Sequence, residues 1–88
     1  MIYRVIIAKR AEKQLRSLTI QTQERIAESI GLLAQNPDNP QLDVKKLTND
    51  AEAHYRLRVG NYRVKFNRDN IVRVIAIIRI AHRKDVYR

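Results

Sequence analysis

Apolar residues alternate with basic ones in one part of the chain and recur every three or four positions in another, and the change of period marks its elements. From Tyr55 to Phe66 every second residue is apolar or aromatic, basic residues fill the gaps, and Gly60-Asn61 interrupts the run. Period two reads as a half-buried strand, and a Gly-Asn pair between two such runs reads as a two-residue hairpin turn. Folding the run at that pair sets Val59 opposite Tyr62, Leu57 opposite Val64 and Tyr55 opposite Phe66 on a core face. On the other face it sets Arg58 opposite Arg63 and Arg56 opposite Lys65. Like charges directly opposite destabilise a sheet, so that face is expected to hold a polyanion.

The rest of the chain supplies partners for this hairpin. Residues 2–8 are mostly β-branched and apolar and predict a mostly buried strand. From Lys9 the period changes: Ala11, Leu15 and Leu18 line one face of an amphipathic helix. The pattern breaks near Ser17–Ile20, where Thr19 or Thr22 can cap a second helix. Ile26, Ile30 and Leu33 repeat the spacing in that helix, with Ala27 and Ala34 beside them, until Asn36-Pro37 stops it. Residues 36–53 hold both prolines and read as a connecting loop, long enough to suggest a role or local structure. Asn67–Asn70 predicts a second turn, and Ile71–Ile80, apolar at both parities, predicts a central strand buried on two faces. The order β-α-α-β-β-β predicts an α+β fold: a single domain over residues 1–88, with a mainly antiparallel sheet and an N-terminal helical hairpin packed on one face.

Composition narrows the function classes. The formal net charge is +9 over 88 residues. Residues 1–44 carry six Lys/Arg against five Asp/Glu, whereas residues 45–88 carry twelve against four. That asymmetry assigns an anionic partner such as nucleic acid to the C-terminal half. With no cysteine and two histidines, His54 and His82, the chain offers no disulfide framework and no thiolate or His-rich metal site. No metal or cofactor is expected. No signal-peptide pattern opens the chain and no apolar run is long enough to span a bilayer, so a cytoplasmic protein without a membrane partner is expected.

Two segments carry a family resemblance. Tyr55-Arg56-Leu57-Arg58-Val59-Gly60-Asn61-Tyr62-Arg63-Val64 is similar to the "YRLRVGDYRV" hairpin of the RelE/ParE superfamily of toxins from bacterial toxin–antitoxin operons. Ile80-Ala81-His82-Arg83-Lys84-Asp85-Val86-Tyr87-Arg88 resembles its "hGHRxxVY" ending, with Ala81 in place of the usual glycine. Lys45-Lys46-Leu47 resembles the "KKL" that precedes the hairpin. The resemblance covers the whole chain in element order. It implies a RelE-like fold, a small antitoxin as operon partner, and a toxin that is a monomer alone and part of a heteromeric complex with its antitoxin. For the RelE branch it implies cleavage of messenger RNA in the ribosome; for the ParE branch, inhibition of DNA gyrase without nuclease chemistry.

The RelE branch is the favoured reading, because its terminal tyrosine is matched by Tyr87. A metal-free ribonuclease uses the RNA 2′-hydroxyl as nucleophile. It must accept the 2′ proton, neutralise the phosphoryl oxygens and assist the 5′-oxygen as it leaves. Arg63 is the candidate for the phosphate, since a guanidinium grips two oxygens at once. Tyr87 is the candidate base; a phenol has a reference pKa of about 10, and nearby cations favour its anion. Arg83 or His82 serves the leaving group: imidazole titrates near neutrality, whereas a guanidinium acts electrostatically. Arg56, Arg58, Lys65, Lys45 and Lys46 are candidates for binding RNA phosphates. Two further readings share the basic face, a ParE-like gyrase inhibitor and a non-catalytic RNA or ribosome binder.

Overall fold

The computed structural model describes residues 2–87; Met1 and Arg88, the ends of the expected 1–88 domain, lie outside them. Its elements run β1 (Arg4–Ile7), α1 (Lys9–Arg16), α2 (Ile20–Gln35), β2 (Val44–Lys46), β3 (Tyr55–Val59), β4 (Tyr62–Asp69) and β5 (Val74–His82). The five strands form one sheet in the order β1-β5-β4-β3-β2, with β1 parallel to β5 and the other pairs antiparallel. This is the expected α+β arrangement, with one short strand added.

The β3–β4 hairpin has the register that alternation dictates, from Val59 opposite Tyr62 to Tyr55 opposite Phe66. Gly60 takes φ +58° at the turn, the left-handed first position of a type II′ hairpin, where a side chain would be strained. Leu57, Val59, Val64 and Phe66 are buried on the face that meets the helices, and the Tyr55 ring stacks on Phe66 with centroids 5.4 Å apart. The helices cover this face as their stripes require. Ala11 from α1 and Ile26, Ile30, Leu33 and Ala34 from α2 are buried, and Leu15 and Leu18 pack against the core. Thr19 is the N-cap of α2, its hydroxyl accepting from the Thr22 amide.

Three expectations about the strands change, and the central place expected of the last strand holds. β1 is an edge strand, so Ile6 on its outer face is exposed and burial is confined to one side. β2 emerges from the connecting loop and pairs with β3, placing Val44 opposite Leu57 and Lys45 opposite Arg56. The second turn lies later than expected: β4 continues through Asp69, and Ile71, 93% exposed, sits in the turn with Val72. Finally β5 lies between β1 and β4, and its apolar run at both parities contains a register shift. Phe66 pairs with Ile77 while Lys65 pairs with Arg79, which leaves Ile78 as a bulge. The core-facing phase moves from Ile75 and Ile77 to Ile80, all buried. Gln14 of α1 accepts from the Ile80 amide at 2.8 Å just past the bulge.

Candidate active site

The sheet face away from the helices carries the basic residues of β3 and β4, and the loop and tail divide it in two. Toward the β3–β4 turn the face is open. Arg58 and Arg63 stand opposite one another there. The Arg63 guanidinium is held from behind, its Nη1 donating to the carbonyls of Gly60 (2.9 Å) and Tyr62 (3.0 Å). Among the described residues no carboxylate lies within ion-pair distance of Arg63. Burial and the charges of Arg58, Arg56 and Arg83 depress its pKa from the usual arginine range, while Tyr87 opposes them. The guanidinium stays charged, and the pattern of causes makes Arg58, Arg56, Arg83 and Tyr87 its electrostatic neighbours.

Beside Arg63 lies an open groove of about 460 Å³, lined by Lys45, Lys46, Leu47, Thr48, Arg56, Arg63 and Tyr87. Lys45 lines it from β2 on the face of its register partner Arg56, whereas Lys46, opposite Tyr55, borders it from the other phase of the strand; Arg56 and Arg63 line it from the hairpin, and Tyr87 from the tail. Arg56 is tethered: its Nη1 reaches Asp43 Oδ1 at 2.8 Å and the Asp43 carbonyl at 3.0 Å. Asp43 also stands 3.9 Å from Arg58. The Arg56 hydrogen bond, with the charges of Arg56, Arg58 and Arg63, holds the Asp43 carboxyl below the usual carboxylate range against the cost of its burial.

Further from the turn the expected open basic face closes. Lys65, expected as a phosphate-binding residue, is only 3% exposed, and its Nζ lies 2.7 Å from Asp50 Oδ2. The Lys65 hydrogen bond chiefly holds the Asp50 carboxyl below its ordinary range, with help from the Glu52 and Ala53 amides, which donate to it. Arg79, opposite Lys65 in β5, is buried as well and bonds Glu52, Asp85 and Val86. Lys65 is therefore occupied by a carboxylate, which alternation alone could not reveal because the acids arrive from the 36–53 loop. Asp43, Asp50, Glu52 and Arg79 are the residues that sequence reasoning passed over. The available signal was an arginine embedded in the apolar run of β5 and two acids spaced two residues apart in a turn-rich loop.

The tail places the neighbours His82 and Arg83 in different surroundings. His82 is opposite Tyr62 in the β4–β5 register, so it belongs to the helix-side phase. Its ring meets Tyr62 edge-on at 5.5 Å, and its Nδ1 accepts from the Lys84 amide at 3.2 Å. That phase separates it from Arg63, which is opposite Ala81. Arg83, whose amide bonds the Asn61 carbonyl at 2.8 Å, is the one whose charge reaches Arg63. Arg63 and Tyr87 thus share a groove with Lys45, Lys46 and Arg56, and the charges of Arg58 and Arg83 act on Arg63, while His82 packs on Tyr62 and Lys65 pairs with Asp50. Among the described residues no group of acids and histidines is arranged to hold a metal ion, and no helix is long and apolar enough to cross a membrane.

Comparison with known proteins agrees with this architecture. Residues 5–87 match the family described as the ParE toxin of type II toxin–antitoxin system, parDE. No curated protein sequence matches the chain. Among solved structures, the archaeal RelE–RelB complex from Pyrococcus horikoshii OT3 contains a chain 33% identical, with a TM-score of 0.80, over 98% of this chain and 100% of that one. The RelB–RelE antitoxin–toxin complex of Methanococcus jannaschii gives 32% identity and a TM-score of 0.71, over 93% and 94%. The intact E. coli RelBE complex, at 20% identity and a TM-score of 0.71 over 91% and 95%, shares the fold. The family match spans nearly the whole chain, and the hairpin and tail that carry the sequence resemblance are the segments that build the groove. The chain belongs to the RelE/ParE superfamily and is a RelE-like toxin of a type II toxin–antitoxin system.

Proposed function

We propose that the chain is a ribosome-dependent endoribonuclease that cuts messenger RNA without a metal, through the RNA 2′-hydroxyl. The observation that supports this reading is that Arg63 and Tyr87 line one open basic groove, with Arg83 near enough for its charge to act on Arg63. Tyr87 accepts the 2′ proton as the 2′-oxygen attacks phosphorus. The bond from phosphorus to the 5′-oxygen breaks, leaving a 2′,3′-cyclic phosphate and a 5′-oxygen that takes a proton from water to become a hydroxyl. Arg63, held by two backbone carbonyls, presents its remaining N–H groups to the phosphoryl oxygens. Fixed donors of this kind act where charge develops. Arg83 balances charge on the departing oxygen, and Lys45, Lys46, Arg56 and Arg58 hold flanking phosphates.

The groove is open and does not enclose the reacting groups. Orientation of the reacting groups is worth about 7–11 kcal/mol, so the ribosome must supply it, and free RNA is a poor substrate. The RelE chains of P. horikoshii and M. jannaschii are complexed with RelB. On that analogy an operon-encoded antitoxin with an acidic segment binds this toxin, folding as it does so. The working compartment is the cytoplasm, where ribosomes and message meet.

Primer extension on a defined message in a purified translation system tests the reading. Cuts that require ribosomes and disappear with Tyr87→Phe are expected. Intact message in every lane overturns the nuclease reading. The family match to ParE toxins then directs attention to gyrase, and supercoiling inhibition by the same preparation would establish that alternative.

A further inference from the structure

Lys65 and Arg79 face each other across the β4–β5 pair, and both are buried, at 3% and 7% exposure. Two adjacent buried cations are an expensive way to build a sheet, since each must leave water and each repels the other. Asp50 and Glu52 offset this: Asp50 lies 2.7 Å from Lys65, and Glu52 stands 3.3 Å from Arg79, 3.9 Å from Lys65 and 3.5 Å from Arg10 of α1. Apolar residues of similar volume would stabilise the same site about as well. Stability alone therefore gives no reason for these four side chains.

What an apolar pair could not do is grip the tail. Arg79 Nη1 donates to the Val86 carbonyl at 2.9 Å, and Nη2 donates to the Asp85 carbonyl at 2.9 Å. The Val86 side chain is fully buried and its amide donates to the His82 carbonyl at 3.1 Å. The backbone is thus fixed at the two residues that precede Tyr87, and the Tyr87 ring comes to rest with its centroid 5.4 Å from Lys65 Nζ. A short segment beyond the last strand stays mobile unless something ties it down.

We propose that Arg79 is a positioning residue: its guanidinium fork on the Asp85 and Val86 carbonyls docks the tail so that Tyr87 projects into the groove beside Arg63, with Lys65 as the seat for the ring. The catalytic consequence rests on the nuclease reading, whereas the docking itself does not.

The test starts with the folded wild-type protein by NMR. A protected Val86 amide and a contact between the Tyr87 ring and the Lys65 side chain are expected; free exchange at Val86 overturns the proposal. The next step compares Arg79→Lys, which keeps a cation for Glu52 but cannot grip two carbonyls, with Arg79→Met. In both, Val86 should exchange like exposed chain, the Tyr87–Lys65 contact should vanish, and kcat for ribosome-dependent cleavage should fall about 10²-fold, as a displaced catalytic group predicts, with KM little changed. Unchanged Val86 protection in both variants overturns the proposal. If neither variant folds, the wild-type measurement decides. If wild type cuts no message, the nuclease reading fails and the exchange data alone decide the docking.

Discussion

Near the hairpin turn, Arg58 and Arg63 face each other at the surface, with one exposed aspartate, Asp43, near the first and none paired with the second. Two residues further along β4, Lys65 faces Arg56 on one side and Arg79 on the other, yet it is buried and paired with Asp50. Both regions are built from the same unit, a cation between two apolar residues on a strand. They differ in what crosses above them. The 47–53 loop and the tail cover Lys65 and Arg79 and neutralise them with Asp50 and Glu52. Arg63 is half-buried, but no carboxylate among the described residues pairs with it. A basic strand face is thereby divided into a sealed half that organises the molecule and an open half whose charge is available to a polyanion.

The largest effect expected from this division is on activity at the open half. Arg63→Ala should reduce ribosome-dependent cleavage by about 10²–10³-fold, the usual cost of losing a fixed charge-stabilising donor. Thermal stability should change little, because the bonds lost are two surface contacts to the turn. A variant that melts far below wild type would assign Arg63 to the fold and erase the contrast. The sealed half should answer the other way. Lys65→Ala leaves Asp50 half-covered without its cation, and breaking a buried pair costs about 3–5 kcal/mol. Urea unfolding should register that loss, and an unchanged midpoint would show that burial of this pair contributes nothing to stability.

Acid titration separates the halves further. Asp50 has a depressed pKa in the folded protein. Its pair therefore contributes stability that is fully present above the unfolded carboxylate value of about 3.9 and is lost as pH falls through the lower folded value. Stability should decline through that window in wild type, and Asp50→Asn should flatten part of the decline. Asparagine retains the side-chain oxygen that accepts from the Glu52 and Ala53 amides, so the substitution tests charge with the local turn kept. An identical acid limb in wild type and Asp50→Asn would remove Asp50 from the linkage.

How far the sequence could carry these distinctions depends on the range of the forces involved. Local periodicity predicts the hairpin register residue by residue, because a strand that slipped by one would turn Leu57, Val64 and Phe66 to water. The same reasoning offers Thr19 or Thr22 as the cap, of which Thr19 serves, and Asn36-Pro37 as the stop, both decided within a few residues. It fails where the deciding partner is distant in sequence. Lys65 looks like Arg58 until Asp50 arrives from a loop 15 residues upstream, and Arg79 has no readable face until the bulge at Ile78 is known. Ile71 and Val72 extend an apolar run into a turn because apolarity alone does not report where pairing ends. For the site, the residue types were legible, but the separation of His82 from Arg83 depended on the β4–β5 register.

The smallest expected effect gives the sharpest comparison, because Asp43 and Asp50 look alike in their titration. Each is an aspartate whose pKa is lowered chiefly by a hydrogen bond to a cation from β3 or β4. Their exposures differ: the Asp43 side chain is 52% exposed and the Asp50 side chain 12%. An exposed pair is screened by water and salt and is worth about 0–1 kcal/mol, whereas an uncompensated buried cation costs several times that. Asp43→Asn should therefore lower stability by less than about 1 kcal/mol, with the difference shrinking as salt is added, while Asp50→Asn should cost more and respond less to salt. Urea unfolding of both variants at low and high salt measures this directly. Equal losses in the two variants would mean that the coverage by loop and tail does not govern the electrostatics of this face, and the division between a sealed and an open half would lose its physical basis.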